Sequence, residues 1–234
     1  MLIRSASYLL LIILSCSLFA KEGQQIYQEA CANCHGDKGQ GSKSEYVAPN
    51  LSILKKAFAK QQFTAIYSGE RKGKASEWMR QDLLAKSFSN EDLEKALDYV
   101  LAKPDIPSQH LLSLGDIKKG KALYQACIHC HGDKAKGYNN PGLAAPRILG
   151  QIDGYVFDAI KDYQSGKRGS DTSPGFQMQA MSKLIKNDKE LHDLLAYLRS
   201  LDPFYNQDLL NVKYSVYKGT WSKIPDFSKL TALK

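Results

Sequence analysis

Cys127-Ile128-His129-Cys130-His131, with its earlier twin Cys31-Ala32-Asn33-Cys34-His35, is the stretch from which the fold of this 234-residue chain is read. A Cys-x-x-Cys-His run places two thiols one helical turn apart, within reach of the two vinyl groups of one haem, and turns the adjacent histidine toward the iron. Two copies predict two covalently attached haem c groups. Cys31, Cys34 and His35 would hold one, and Cys127, Cys130 and His131 the other.

Two plainer uses of these cysteines fit less well. A zinc site needs further Cys or His ligands at matching spacing, yet the remaining histidines are His110, His129 and His192 and the fifth cysteine is Cys16. A thioredoxin-like redox pair explains one Cys-x-x-Cys. It has no use for a histidine directly after it, twice, each time followed by Gly-Asp-Lys.

Residues 1–20 carry one positive charge, Arg4, and an apolar stretch from Tyr8 to Leu14, ending in Leu18-Phe19-Ala20 before Lys21-Glu22. That pattern predicts a secretory signal peptide cut after Ala20, because the apolar core is too short to span a bilayer. A lipoprotein signal at Ile13-Leu14-Ser15-Cys16 is the alternative, with Cys16 lipidated and the protein associated with a membrane surface. Both predict export, to the periplasm in a bacterium. Haem attachment outside the cytoplasm is consistent with that.

Without Arg4 the chain has 31 basic and 24 acidic residues, a formal +7. Four haem propionates would lower this to about +3 if all were ionised. The groups Lys55, Lys56 and Lys60, then Arg71, Lys72 and Lys74, then Lys118, Lys119 and Lys121 read as solvated faces, or as a docking surface for an acidic redox partner. No base-stacking or groove-reading motif suggests nucleic acid.

The sequence repeats with a period of about 97 residues. Gly23 to Tyr27 is echoed by Gly120 to Tyr124, and Cys34 to Gly41 by Cys130 to Gly137. Pro49 pairs with Pro146, Ser68-Gly69 with Ser165-Gly166, and the Leu/Tyr stretch ending at Tyr99 with the one ending at Tyr197. Two copies at so long a period indicate a duplicated domain rather than a solenoid. Each half predicts a first helix (near residues 22–32 and 118–128), a Gly-rich loop, a second helix (near 60–67 and 155–163) and a capped last helix after Ser89 and Asn187. Leu93, Ala96, Leu97 and Val100, like Leu191, Leu194, Leu195 and Leu198, fall at helical spacing and predict one buried stripe. No strand pattern appears. Pro104 and Pro107 end the first half.

The haem signatures, each with a Gly/aromatic first helix, a downstream Pro, a Met and a terminal Leu/Tyr helix, resemble class I cytochrome c domains. The tandem arrangement, with Pro146 to Gln151, Tyr155 and Gly166-Lys167-Arg168, resembles the c4-type dihaem cytochromes over roughly residues 21–203. The resemblance implies an all-α fold of two tandem domains, at 21–103 and 115–203, joined by a linker at 104–114. It also implies that the carbonyls of Pro49 and Pro146, 14 and 15 residues beyond His35 and His131, accept hydrogen bonds from the axial histidines.

The sixth iron ligand decides the chemistry. A thioether opposite histidine favours the ferrous state and leaves no open position for substrate. Met79 is the candidate in the first half. Met178 and Met181 compete in the second, and register against the last helix favours Met178, 13 residues before Leu191, as Met79 lies 14 before Leu93. The expected metal ligands are therefore His35, Met79, His131 and Met178. Trp78 could wall the first haem crevice or simply pack.

Residues 204–234 fall outside both repeats. Their aromatics predict a short irregular arm packed across the domains. The expected function is an electron carrier between a quinol-oxidising complex or dehydrogenase and a terminal oxidase or reductase. The alternatives are the cytochrome subunit of a sulfur-oxidising dehydrogenase, or a dihaem peroxidase with one open iron position.

Overall fold

A computed structural model describes residues 22–41, 47–106, 115–138, 145–170 and 172–202. The expectations for the leader, for Cys16, for His110 in the linker and for the arm at 204–234 lie outside the described residues. The chain divides into a unit Met1–Asp202, which holds both halves, and a unit Pro203–Lys234.

The described residues form helices and no strand. In the first half these are α1 (residues 22–30), α2 (Ala32–His35), α3 (Lys56–Tyr67), α4 (Lys74–Ala85) and α5 (Asn90–Leu101). The second half repeats the order as α6 (Ile117–Tyr124), α7 (Ile128–His131), α8 (Asp153–Gln164), α9 (Ser173–Ser182) and α10 (Asp188–Ser200). Several boundaries differ from the sequence expectation. The second helices start earlier, at Lys56 and Asp153, and α6 stops at Tyr124 rather than running into the haem motif. The methionine-bearing segments are the helices α4 and α9. Each buries only two residues, Ser76 and Leu83 in α4 and Gly175 and Ser182 in α9, so periodicity had little to report.

The first and last helices of each half cross at close range because a glycine sits at the crossing. A Cβ on Gly23 would lie 2.7 Å from the Lys95 carbonyl of α5, and one on Gly120 only 1.9 Å from the Asp193 carbonyl of α10. One turn further, Tyr27 packs on Tyr99 with ring centroids 5.8 Å apart, and Tyr124 on Tyr197 at 5.4 Å, both tilted by 49°. The last helices start at defined caps. The Ser89 hydroxyl accepts from the Asp92 N–H while the Asp92 carboxylate accepts from the Ser89 N–H, and the Asn187 side chain accepts from the Glu190 N–H.

Each half has its own core. Ile26, Tyr27, Phe63, Leu93, Leu97 and Val100 form the first, and Tyr124, Val156, Ile160, Leu191, Leu194 and Leu198 the second. Each large apolar side chain fully buried contributes about 2 kcal/mol, so the stripes on α5 and α10 supply most of the packing that holds each half. The ion pairs Lys56–Asp98 at 2.9 Å and Lys60–Glu94 at 3.0 Å join α3 to α5, so two of the lysines expected on a docking face are engaged within the first half.

The halves meet through polar contacts. Asn50 and Gln151 pair across the junction, the Lys72 N–H donates to the Lys167 carbonyl at 2.8 Å, and Arg147 pairs with Asp105. Arg71, expected on a solvated face, is instead 8% exposed. Its position after α3 directs it into the contact with the second half.

Candidate haem sites

In both halves the Cys-x-x-Cys-His run closes one tight helical turn. The His35 N–H donates to the Cys31 carbonyl at 3.0 Å and the His131 N–H to the Cys127 carbonyl at 2.9 Å, so each histidine follows its cysteines within one turn. The carbonyls just after the histidines are also held. Tyr27 Oη donates to the Gly36 carbonyl at 2.7 Å, and Tyr124 Oη to the Gly132 carbonyl at 2.7 Å. The tyrosines of the first helices thus act twice, packing on the last helix and fixing the haem turn.

Both histidines are buried, each 6% exposed. His35 Nδ1 lies 3.1 Å from the Pro49 carbonyl, and His131 Nδ1 lies 3.0 Å from the Pro146 carbonyl. A carbonyl only accepts, so the proton sits on Nδ1 and Nε2 keeps its lone pair for a metal. Burial lowers both imidazoles below their ordinary value, which keeps them neutral, as a ligand must be.

The thiols have the opposite character from a reactive dithiol. Burial pushes Cys31 up to about 12 and Cys127 up to about 11, so each is an uncharged sulfur set in an apolar wall. Among the described residues no group of three His, Cys, Asp or Glu side chains converges as an all-protein metal site.

In the second half the candidate ligands share one cavity. Cys127, Cys130 and His131 line it together with Met178 and Met181, and Ile148, Val156 and Leu194 supply apolar wall. Met178 also packs against the second core beside Cys127. The two methionines lie three residues apart on one face of α9, so both thioethers reach the cavity, and Met178 is the one tied to the core. Phe58 and Gln62 of α3 contribute wall from the first half. Among the described lining residues there is no Asp, Glu or Lys. In the first half Cys31 and Met79 pack against the same core from partly buried positions, with His35 buried nearby in sequence.

Not every marked residue enters a site. Trp78 is 36% exposed with the Lys74 ammonium 4.4 Å from its ring centre, at the surface. His129 is exposed between the haem cysteines, and His192 is exposed with its ring 5.3 Å from Phe157. Sequence reasoning missed Gln62 and the buried roles of Arg71 and Arg168. Their separation of 97 residues, the repeat period itself, was the signal that could have singled out the two arginines.

The donor set fits a covalently held haem. Two cysteine sulfurs, a neutral imidazole with its lone pair free, and a thioether all line one largely apolar crevice in the second half, and the first half repeats the cysteine–histidine–proline geometry.

Comparison with known proteins agrees. The profile of the family described as Cytochrome c matches residues 20–103 and again 117–202. Cytochrome c4 of Azotobacter vinelandii is 24% identical over 184 residues, covering 73% of this chain and 84% of that protein. The structure of cytochrome c4 from Acidithiobacillus ferrooxidans superposes with a TM-score of 0.59 at 24% identity, covering 73% of this chain and 98% of that one. The thiosulfate dehydrogenase TsdBA of Marichromatium purpuratum superposes with a TM-score of 0.62 at 22% identity over 76% of this chain. This chain spans 39% of that longer one, and both structural likenesses are likenesses of fold.

Proposed function

We propose a function from an established premise: this chain belongs to the cytochrome c family, with the domain present twice and two covalently attached haem c groups. It carries single electrons between larger redox proteins. His35 with Met79, and His131 with Met178, would ligate the two irons. Cys31, Cys34, Cys127 and Cys130 would carry the thioether links. When bound, each haem supplies a one-electron iron couple.

One observation carries this reading. The second-half cavity brings His131 and a methionine thioether together and has, among its described lining residues, no carboxylate or lysine to move protons to a substrate. A largely apolar crevice suits a couple that changes charge without binding anything. The protein's own contribution is to hold the imidazoles through Pro49 and Pro146 and to exclude water. The pattern of residues 1–20 supports export to the periplasm, and no described helix is long and apolar enough to cross a membrane. The natural partners are then a quinol-oxidising complex as donor and a terminal oxidase or reductase as acceptor.

The fold likeness to part of a thiosulfate dehydrogenase favours one second reading, that of the cytochrome portion of a sulfur-oxidising assembly. The distinguishing experiment is an anaerobic titration followed by mixing with an oxidised acceptor cytochrome. The carrier reading expects two electrons taken up per chain, rapid transfer to the acceptor, and no turnover of thiosulfate or peroxide. Turnover of either by the purified chain would contradict it.

A further inference from the structure

Helix α3 presents side chains to two different interiors. Ala59, Phe63 and Tyr67 recur every four residues along one side of it and pack in the first core, against which Cys31 and Met79 also lie. Phe58, Gln61 and Gln62 share another side, about a third of a turn round the helix axis, and line the second half's cavity with Cys127, Cys130, His131 and Met178. Leu54, four residues before Phe58, does both: it packs against the first core and lines that cavity.

Phe58 finds no place in its own half. Its neighbour Ala59 is 5% exposed in the first core, yet Phe58 is neither a member of that core nor packed against it. The half-buried ring takes its cover from the cavity that carries the second haem motif. Ile148, Val156 and Leu194 make apolar wall there from the second half, and Leu54 and Phe58 add apolar wall from the first.

We propose that the second haem site is a composite of both halves, in which Phe58 and Leu54 help shield the haem from water and so hold its potential up. Helix α3 is then a partition shared by the two haem sites. An apolar wall excludes water and lowers the local dielectric, which disfavours the additional positive charge of ferric haem. Opening the wall admits water, and the ferric state gains more from it than the ferrous state does. The proposal rests on the dihaem reading above.

The test uses the intact holoprotein and the variants Phe58→Ala, Phe58→Leu and Phe63→Leu. None of them changes a charge, so a shift in potential reports solvent access and packing rather than a lost ion pair. Haem content per chain and the two reduction potentials are measured, and each potential is assigned through the haem methyl proton resonances and their contacts with residues of each half. Phe58→Ala is expected to lower the potential of the second haem more than that of the first, although the substitution lies in the first half. Phe58→Leu keeps an apolar side chain and should lower it less. Phe63→Leu, on the side of α3 that faces the first core, is expected to leave the second haem's potential near wild type.

If Phe58→Ala fails to fold, Phe58→Leu decides by the same comparison of the two haems. No fall, an equal fall at both haems, or a fall mainly at the first would overturn the shared wall. So would a Phe63→Leu variant that moves the second haem as far as Phe58→Leu does, since α3 would then act only by shifting as a unit. A wild-type content below two haems per chain would instead overturn the dihaem reading beneath it.

Discussion

Asn50 and Gln151 close a reciprocal pair across the two halves: the Asn50 N–H donates to Gln151 Oε1 at 2.7 Å, and Gln151 Nε2 donates back to the Asn50 carbonyl at 3.1 Å. Both residues are buried, at 0% and 5% exposure, and Asn50 directly follows Pro49, whose carbonyl holds His35. The second half thereby fixes the peptide whose carbonyl holds His35. Gln151→Ala leaves a buried backbone N–H and carbonyl without these partners, an expected loss of about 1–3 kcal/mol in denaturant unfolding. Because the Pro49 carbonyl is freed to shift, the first haem's potential should move more than the second's in a spectroelectrochemical titration.

The helix crossings rank two glycines. A Cβ at position 120 would meet backbone at 1.9 Å, and one at position 23 at 2.7 Å, and neither carbonyl can swing aside as a flexible side chain would. Gly120→Ala is expected to lower the melting temperature much more than Gly23→Ala. Each should exceed the usual overpacking loss of about 1–3 kcal/mol, since helix backbones must part. Equal and small shifts would mean that the crossings are looser than described.

Tyr124→Phe keeps the ring on Tyr197 and removes only the hydroxyl that donates to the Gly132 carbonyl. The expected loss is about 1–3 kcal/mol in unfolding free energy, because a carbonyl beside the haem turn loses its partner. The matching Tyr27→Phe should behave alike if the halves are true equivalents. Thermal melts of the two holoproteins check this.

Acid stability should depend on the α5 cap. The Ser89 hydroxyl and N–H, hydrogen-bonded to the Asp92 carboxylate, hold it below the usual carboxylate range. A depressed carboxylate contributes stability that is present above its unfolded value and is lost as pH falls through the folded one. Ser89→Ala removes the hydroxyl, the largest of those influences, so the mutant's melting temperature should fall below wild type near neutral pH and the gap should narrow as pH drops under 4. A gap that is constant with pH would show that the cap acts without the carboxylate.

Much of the fold was legible because duplication states it twice. The haem pentapeptides, the Gly/Tyr first helices and the leucine stripes ending at Tyr99 and Tyr197 each follow a local rule, and each recurs. The methionine helices α4 and α9 were hidden for a physical reason. They bury only two residues each, so little in their sequences marks a side that faces a core. The arginine junction was hidden differently. Lys-rich surroundings such as Lys72 and Lys74 made Arg71 look like one more solvated charge, and only its place between the halves shows it buried.

The most direct test of the whole account is the near-infrared spectrum of the fully oxidised protein, where methionine bound to ferric haem gives a distinctive charge-transfer band. The account predicts that both haems contribute to the band, that Met79→Ala and Met178→Ala each remove about half of it, and that the double variant removes it all. A band that survives Met178→Ala at full strength would transfer the ligand role to Met181. One that survives both substitutions, or is absent from the wild-type protein, would contradict the pair of closed histidine–methionine irons.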